Sequence, residues 1–187
     1  SAGGEDNEAR GMHSATLGGE DNDANGDYSY AFGENADANG DYSFALGKNV
    51  IANGDYSYSF GLETEVLNNY STAFGVGTEA SRNSAFIVGA YNVPDTTILF
   101  GIGSGTSSSN KQNAMYVIEQ FHPLPASFIA YNSYFRGNVT PMTNSEYYLG
   151  TSTYRWNRVY ATNGTIQTSD TTQKTNIVPL NYGLNTL

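Results

Sequence analysis

The sequence predicts an all-β chain folded as a parallel β-roll. One glycine register recurs every 14 residues and comprises Gly19, Gly33, Gly47, Gly61, Gly75 and Gly89. Serine, tyrosine and apolar registers share this period, which composition alone does not explain. Their members are Ser29, Ser43, Ser57 and Ser71; Tyr28, Tyr42, Tyr56 and Tyr70; and Phe32, Leu46, Phe60, Phe74 and Val88. Helix is disfavoured, because a glycine about every seven residues would cost about 1 kcal/mol each.

Each repeat unit contains two segments of strand length. A second glycine register, formed by Gly26, Gly40 and Gly54, divides the unit and leaves about five residues for each segment. Residues 28–32 alternate between aromatic and small side chains, which in a strand point to opposite faces. We therefore predict that one of these two faces closes the roll and that the other packs on neighbouring chains. Equivalent residues of successive coils should then stack about 4.8 Å apart.

The N-terminal stretch follows the same pattern with one extra residue. Its glycines and alanine match the next unit at a spacing of 15; the matching residues are Gly3, Gly4, Ala9 and Gly11 with Gly18, Gly19, Ala24 and Gly26. The first coil is therefore predicted to be the same unit with one inserted residue.

The period breaks at Val93-Pro94-Asp95, and residues 93–143 are predicted to be a capping and connecting β region. A cap is expected because the last coil leaves an unpaired strand edge. The predicted elements are a strand at 97–102, a Gly/Ser loop at 103–110, an apolar run at 114–118, an extended crossover at 121–125 and an apolar stretch at 128–135. The last of these is expected to add a strand or to line a trimer interface.

The repeat from Gly26 to Asn39 resembles the head repeat of trimeric autotransporter adhesins. That resemblance covers residues 1–92 and implies a left-handed parallel β-roll with three chains to a head. The stretch from Gly89 to Ala114 resembles the segment that closes such rolls in phage tail fibres. Together they imply an intertwined homotrimer.

Residues 144–187 are predicted to be a C-terminal β segment that carries a maturation motif. The stretch from Tyr147 to Asp170 resembles the entry to the endosialidase-type (peptidase S74-like) intramolecular chaperone of phage tail fibres and tailspikes. The resemblance implies that Ser169 and Asp170 carry a single self-cleavage, after the chaperone has driven trimerisation. A serine hydroxyl needs activation by a nearby base, and the adjacent carboxylate is a candidate. The residues up to Leu187 are too few to hold the helical chaperone body that the resemblance implies.

The net charge of −10 is concentrated in the first third of the chain. Residues 1–65 carry thirteen acidic residues against Arg10 and Lys48, whereas residues 66–187 carry five acidic and six basic residues. This acidity argues against general binding to nucleic acid or to anionic membranes. No apolar run approaches the roughly 20 residues of a membrane-spanning helix. The absence of cysteine excludes disulfides and thiolate metal sites.

No cofactor or metal site is predicted. Residues 21–26 imitate the start of a calcium-binding loop, but position 12 of that loop is Phe32 rather than a bidentate glutamate. The repeat instead explains these residues as turn residues. His13 and His122 lie far apart in sequence, and only a three-fold axis could gather copies of one of them. The column of Asp27, Asp41 and Asp55 is expected to mark a solvated turn, with cation association as the weaker alternative.

The sequence thus predicts a structural and receptor-binding protein rather than an enzyme. The first hypothesis is the distal part of a homotrimeric phage tail fibre, extracellular on the virion. Its partners would be itself, upstream virion proteins and a host surface glycan or protein receptor. The alternative is the head of a bacterial trimeric surface adhesin, located at the bacterial cell surface. A glycan depolymerase would need an upstream domain with paired carboxylates, which the sequence does not supply.

Overall fold

The computed structural model describes residues 3–121, 129–140 and 153, and these residues form strands but no helix. All of the strands belong to one compact unit, Ser1–Thr140. In chain order they are β1 (Glu8–Ala9), β2 (Ala15–Glu20), β3 (Asp23–Ala24), β4 (Tyr30–Ala38), β5 (Phe44–Ala52), β6 (Tyr58–Leu62), β7 (Glu65–Val66), β8 (Thr72–Val76), β9 (Glu79–Ala80), β10 (Phe86–Ala90), β11 (Ile98–Ser104), β12 (Asn113–Phe121) and β13 (Ile129–Phe135). The all-β prediction is confirmed.

Successive coils pair in parallel at the predicted spacing. Phe44 of β5 pairs with Tyr58 of β6, which pairs in turn with Thr72 of β8, and each step equals one repeat length. Each coil has a first limb, which contains strands such as β6 and β8, and a second limb, which contains short strands such as β7 and β9. The second limb follows the same rule, since Glu65 of β7 pairs with Glu79 of β9. Each coil therefore finds its backbone partners in the coils before and after it, as a parallel roll requires.

The inserted residue of the first coil is confirmed and can be located. Gly19 pairs with Gly33 at the regular repeat length, whereas Thr16 pairs with Ala31, a separation longer by a single residue. The register shifts between Thr16 and Gly19, so the extra residue lies at Leu17-Gly18. A bulge confined to one strand absorbs the insertion without disturbing the following coils.

The interior of the roll is narrow and built from small side chains. Alanines at equivalent positions of successive coils are fully buried, among them Ala24, Ala31, Ala36, Ala38, Ala45, Ala52, Ala73 and Ala80. Ser29, Ser43 and Ser57 are buried beside them, while Tyr30 and Phe32 point outward. The sequence left open which of the two faces closes the roll, and the structure shows that it is the face of small residues. The strand predicted at residues 28–32 begins only at Tyr30, because Tyr28 has a left-handed backbone with φ of 56°.

The buried serines supply a first testable prediction. The hydroxyl of Ser43 has no hydrogen-bond partner among the described residues, whereas Ser71 accepts from the N–H of Ala85 (3.1 Å) and donates to the carbonyl of Arg82 (2.6 Å). Ser43→Ala should therefore raise the free energy of unfolding by about 1 kcal/mol, because it removes an unsatisfied polar group. Ser71→Ala should lower it by about 2 kcal/mol. Chemical unfolding checks both variants, and equal effects of the two would contradict the prediction.

The parallel register continues past the break at Val93. Phe86 and Gly89 of β10 pair with Phe100 and Gly103 of β11, so the separation is still one repeat length. The irregular sequence at residues 93–95 replaces the second limb of this coil but keeps the residue count, which is why the period is hard to see there. The predicted strand at 97–102 is thus present as β11.

Two antiparallel strands extend the sheet beyond the last parallel strand. β12 pairs with β11, with Tyr116 opposite Gly101, and β13 pairs with β12, with Tyr134 opposite Tyr116. They occupy the apolar stretches at 114–118 and 128–135, and they cover the edge that β11 would otherwise leave open. The predicted crossover at 121–125 falls almost wholly in residues 122–128, outside the described residues.

Candidate binding surface

Several residues singled out from the sequence lie outside the described part of the chain. They include Ser169 and Asp170, with almost all of the C-terminal segment 144–187, and His122. Their predicted roles therefore stay predictions. Among the described residues, no helix is long and apolar enough to cross a membrane.

The segment that imitates a calcium-binding loop is part of the roll. Asn22 is fully buried and donates its amide to the carbonyls of Gly18 (3.0 Å) and Gly33 (2.9 Å). Its Oδ1 accepts the backbone N–H of Ala36 at 3.1 Å. Asp23 lies in β3, where its carboxylate contacts Arg10. Asn25 also accepts from Nη1 of Arg10, at 2.6 Å, so the guanidinium engages two of the three side chains whose oxygens imitate calcium ligands.

His13 forms part of an aromatic stack. Its ring lies 4.9 Å from that of Tyr28. Within residues 3–121 and 129–140, no group of three or more metal-ligating side chains comes together. The structure therefore assigns His13 a packing contact.

The tyrosine register forms a stacked column along one corner of the roll. The rings of Tyr28, Tyr42 and Tyr56 follow one another at 4.8 Å with nearly parallel planes, and Tyr70 follows at 5.4 Å. All four have positive φ, a backbone conformation that is unfavourable for a bulky residue. Ring stacking on both sides offsets that cost. Tyr70 is 64% exposed, because the next position of the column is Ser84 and leaves the outer ring face uncovered.

The aspartate column beside it holds successive coils together. The backbone N–H of Asp27 donates to Oδ1 of Asp41 (2.9 Å), and that of Asp41 donates to Oδ1 of Asp55 (3.1 Å). Asn69 accepts from Asp55 at 2.9 Å and continues the series. The column does lie at turns, as expected, but each side chain also satisfies a backbone donor of the preceding coil. Sequence spacing marked the positions without revealing this bonding.

A second acidic column, which contains Asp23, Asp37, Glu65 and Glu79, runs along the outer side of the second limb. Burial, reinforced by repulsion from Asp23, raises the pKa of Asp37 above its usual value, while Arg10 opposes the shift. Burial and repulsion from Glu79 likewise raise the pKa of Glu65. Ionisation of either carboxylate therefore lowers the stability of the fold.

This cost predicts a pH-dependent gain from Asp37→Asn. A raised pKa in the folded state means that ionised Asp37 destabilises the fold above that pKa, and that the penalty disappears below the ordinary aspartate pKa. The variant should unfold at higher urea concentration than the wild type at pH 7, and the difference should shrink as the pH falls towards 3. A gain that stays constant with pH would point to another cause.

The first limb presents an apolar face to solvent. Its outward side chains form two columns: Tyr30, Phe44, Tyr58, Thr72, Phe86 and Phe100 in one, where Thr72 is the polar member, and Phe32, Leu46, Phe60, Phe74 and Val88 in the other. Phe74 is 58% exposed, and Phe32, Tyr58 and Phe86 are also exposed. The rings of Phe60 and Phe74 lie 6.2 Å apart, so the side chains form a continuous surface. Contiguous apolar patches of this kind mark interaction sites in soluble proteins.

Comparison with known proteins identifies the type of repeat. Residues 24–49 and 52–78 match the YadA head domain repeat in two copies. The match covers fewer than a third of the 187 residues, and it includes neither the segment after β9 nor the C-terminal motif. No curated protein shows a significant match to the chain. The same is true of the solved structures. The coils at residues 24–78 thus carry head repeats of the trimeric autotransporter adhesin type.

Proposed function

We propose that the chain is part of a homotrimeric attachment fibre whose roll forms a rigid head at a cell or virion surface. The observation that carries this proposal is the apolar face of the first limb, which one chain leaves uncovered. Two further copies of the same chain are the partners that fit it, because an identical stacked roll offers identical apolar columns at the same spacing. The matching repeat type supports self-association. Several trimers acting together would turn weak surface contacts into firm attachment.

The trimer is tested by changing the apolar face without changing the core. Phe74→Asp places a charge at a position that is already 58% exposed in the single chain, so the coil itself should fold. The wild type should have three times the chain mass of 20.1 kDa in light scattering, and the variant should dissociate to monomers at micromolar concentration. The matched control is Ile51→Lys, on the second limb, which should stay trimeric. A monomeric wild type would refute the proposal.

The phage tail fibre is our first assignment for this trimer, and the C-terminal motif supports it. In that role the fibre is matured by one cut at Ser169-Asp170, and it is otherwise not an enzyme. When the wild type is expressed as one polypeptide with a downstream chaperone, it should release a fragment that ends near Ser169. Ser169→Ala should leave the product whole. An uncut wild-type product would count against self-cleavage.

The bacterial surface adhesin is the second assignment, and the YadA head repeat match supports it equally. Both assignments place the roll outside the cell and give it a host surface glycan or protein as receptor, but they differ in what adjoins the chain. A tail fibre requires upstream virion proteins and a downstream chaperone, whereas an adhesin requires a stalk and a membrane anchor. The sequence of the complete gene product distinguishes them.

A further inference from the structure

A groove opens where the antiparallel strands continue the sheet beyond the last parallel strand. It has a volume of about 680 Å³, and it lies between the loop before β11, the loop after it and the end of β13. Volumes of this order are typical of small-molecule sites. Tyr116, Tyr134, Lys111, Asp95 and Arg136 are among the residues that line it. No repeat register contributes to it, so it is independent of the apolar face described above.

One wall of the groove is a fixed aromatic surface. The rings of Tyr116 and Tyr134 stack at 4.8 Å with 10° between their planes. Tyr116 packs against the core cluster at this end of the roll, and Tyr134 is 38% exposed. The inner ring therefore anchors the outer one. An exposed, immobilised tyrosine face packs well on the C–H face of a pyranose ring.

Most polar groups of the groove are already engaged. Asn113 exchanges two hydrogen bonds with the backbone of Val93, and Oδ1 of Asp95 accepts from the N–H and hydroxyl of Thr97. Lys111 contacts Glu79 at 3.6 Å. These bonds fix the side chains that shape the groove, while Oδ2 of Asp95 accepts no hydrogen bond from the described residues and adds negative charge to the lining.

Of the two cationic side chains that line the groove, Arg136 is the one without a partner among the described residues. Its guanidinium forms no hydrogen bond or ion pair with any residue of the described ranges, although its backbone is fixed by the carbonyl of Ala114 at 2.9 Å. It lies two residues after Tyr134, just beyond the end of β13, and both residues line the groove. Guanidinium groups bind carboxylates through two parallel hydrogen bonds. The groove thus combines an apolar ring face with one uncommitted site for an anion.

We propose that this groove binds a carboxylated sugar, with the pyranose ring on Tyr134 and the carboxylate on Arg136. The inference deepens the attachment role proposed above and rests on it for its biological meaning, since it names the class of surface ligand. The binding itself requires neither a trimer nor a cell. A chain that proves monomeric and still binds the sugar would therefore refute the trimer and leave this site standing.

The test is an NMR titration of the chain with glucuronate and, separately, with glucose, which lacks the carboxylate. Glucuronate should bind at least about tenfold more tightly, the effect of one charge-assisted hydrogen-bonded pair. Arg136→Gln should remove that preference, and Tyr134→Ser should weaken both sugars. Arg10→Gln, at an arginine paired with Glu8 and Asp23, is the matched control and should change nothing.

Three results would overturn the proposal. Equal binding of glucuronate and glucose, or no binding of either, would exclude recognition of the carboxylate. Glucuronate binding that survives Arg136→Gln would place the anion elsewhere. Acetate binding as tightly as glucuronate would show that the ring contributes nothing and that the groove takes a simple anion. Circular dichroism identical to wild type shows that each variant has kept the roll.

Discussion

Gly47→Ala is expected to destroy the roll, lowering the free energy of unfolding by more than about 4 kcal/mol. Gly47 has φ of 140°, and a Cβ added there would lie 1.9 Å from the carbonyl oxygen of Gly61 in the next coil. That oxygen belongs to the backbone and cannot rotate away. Relief would require the coils to separate, which would break the parallel hydrogen bonds on both sides of Gly47.

Gly18→Ala separates the cost of the positive φ from the cost of the steric clash with the next coil. Gly18 also has a positive φ, of 112°, but the nearest atom to an added Cβ is 3.8 Å away. In this variant only the strained φ should lower the free energy of unfolding, by about 1–3 kcal/mol. Urea unfolding followed by circular dichroism compares the two variants. An equal loss of stability for both would contradict the close stacking of coils at the glycine column.

Asn22→Ala is expected to cost about 3 kcal/mol or more. The side chain is fully buried and satisfies the carbonyls of Gly18 and Gly33 and the N–H of Ala36. Alanine would leave these groups without partners in a narrow interior, and each such loss costs about 1–3 kcal/mol before relaxation or entry of water reduces it. The midpoint of chemical unfolding measures the loss.

Asn39→Ala is the matched control for Asn22→Ala. Asn39 is exposed, and within the described part of the chain its side chain bonds only to its equivalents Asn25 (2.7 Å) and Asn53 (2.9 Å) in the neighbouring coils. Its loss should cost about 1 kcal/mol or less, because water replaces the partners. If Asn22→Ala costs no more than Asn39→Ala, the buried amide does not hold the coils together.

The sequence was informative wherever a position repeats. The period of 14 residues and the alternation in residues 28–32 were enough to place Ser29 and Ala31 on one face and Tyr30 and Phe32 on the other. Which face closes the roll stayed open, and the structure places the small residues inside. Parallel stacking makes one position of one coil stand for all its equivalents, so a weak local preference becomes a strong pattern. The apolar face could be predicted for the same reason.

Features that occur once could not be predicted in this way. The bonds of Asn22 join atoms of residues 18, 33 and 36, and no spacing reveals that these meet. The register of β11 was missed because residues 93–95 interrupt the repeat, although Gly103 and Ile102 continue the glycine and apolar registers at the same spacing. The groove brings together side chains that lie far apart in sequence, from Val93 to Arg136, and it depends on a hairpin geometry that the sequence leaves open.

The fixed spacing between coils also means that the length of the roll changes in equal steps. Adding or removing one whole 14-residue unit gives every remaining side chain chemically equivalent neighbours and changes the length by about 4.8 Å. Recombination between repeats can therefore alter the reach of the head in equal steps while keeping the chemistry of its surface. A single-residue change in length is tolerated only where a bulge absorbs it, and Leu17-Gly18 is such a place.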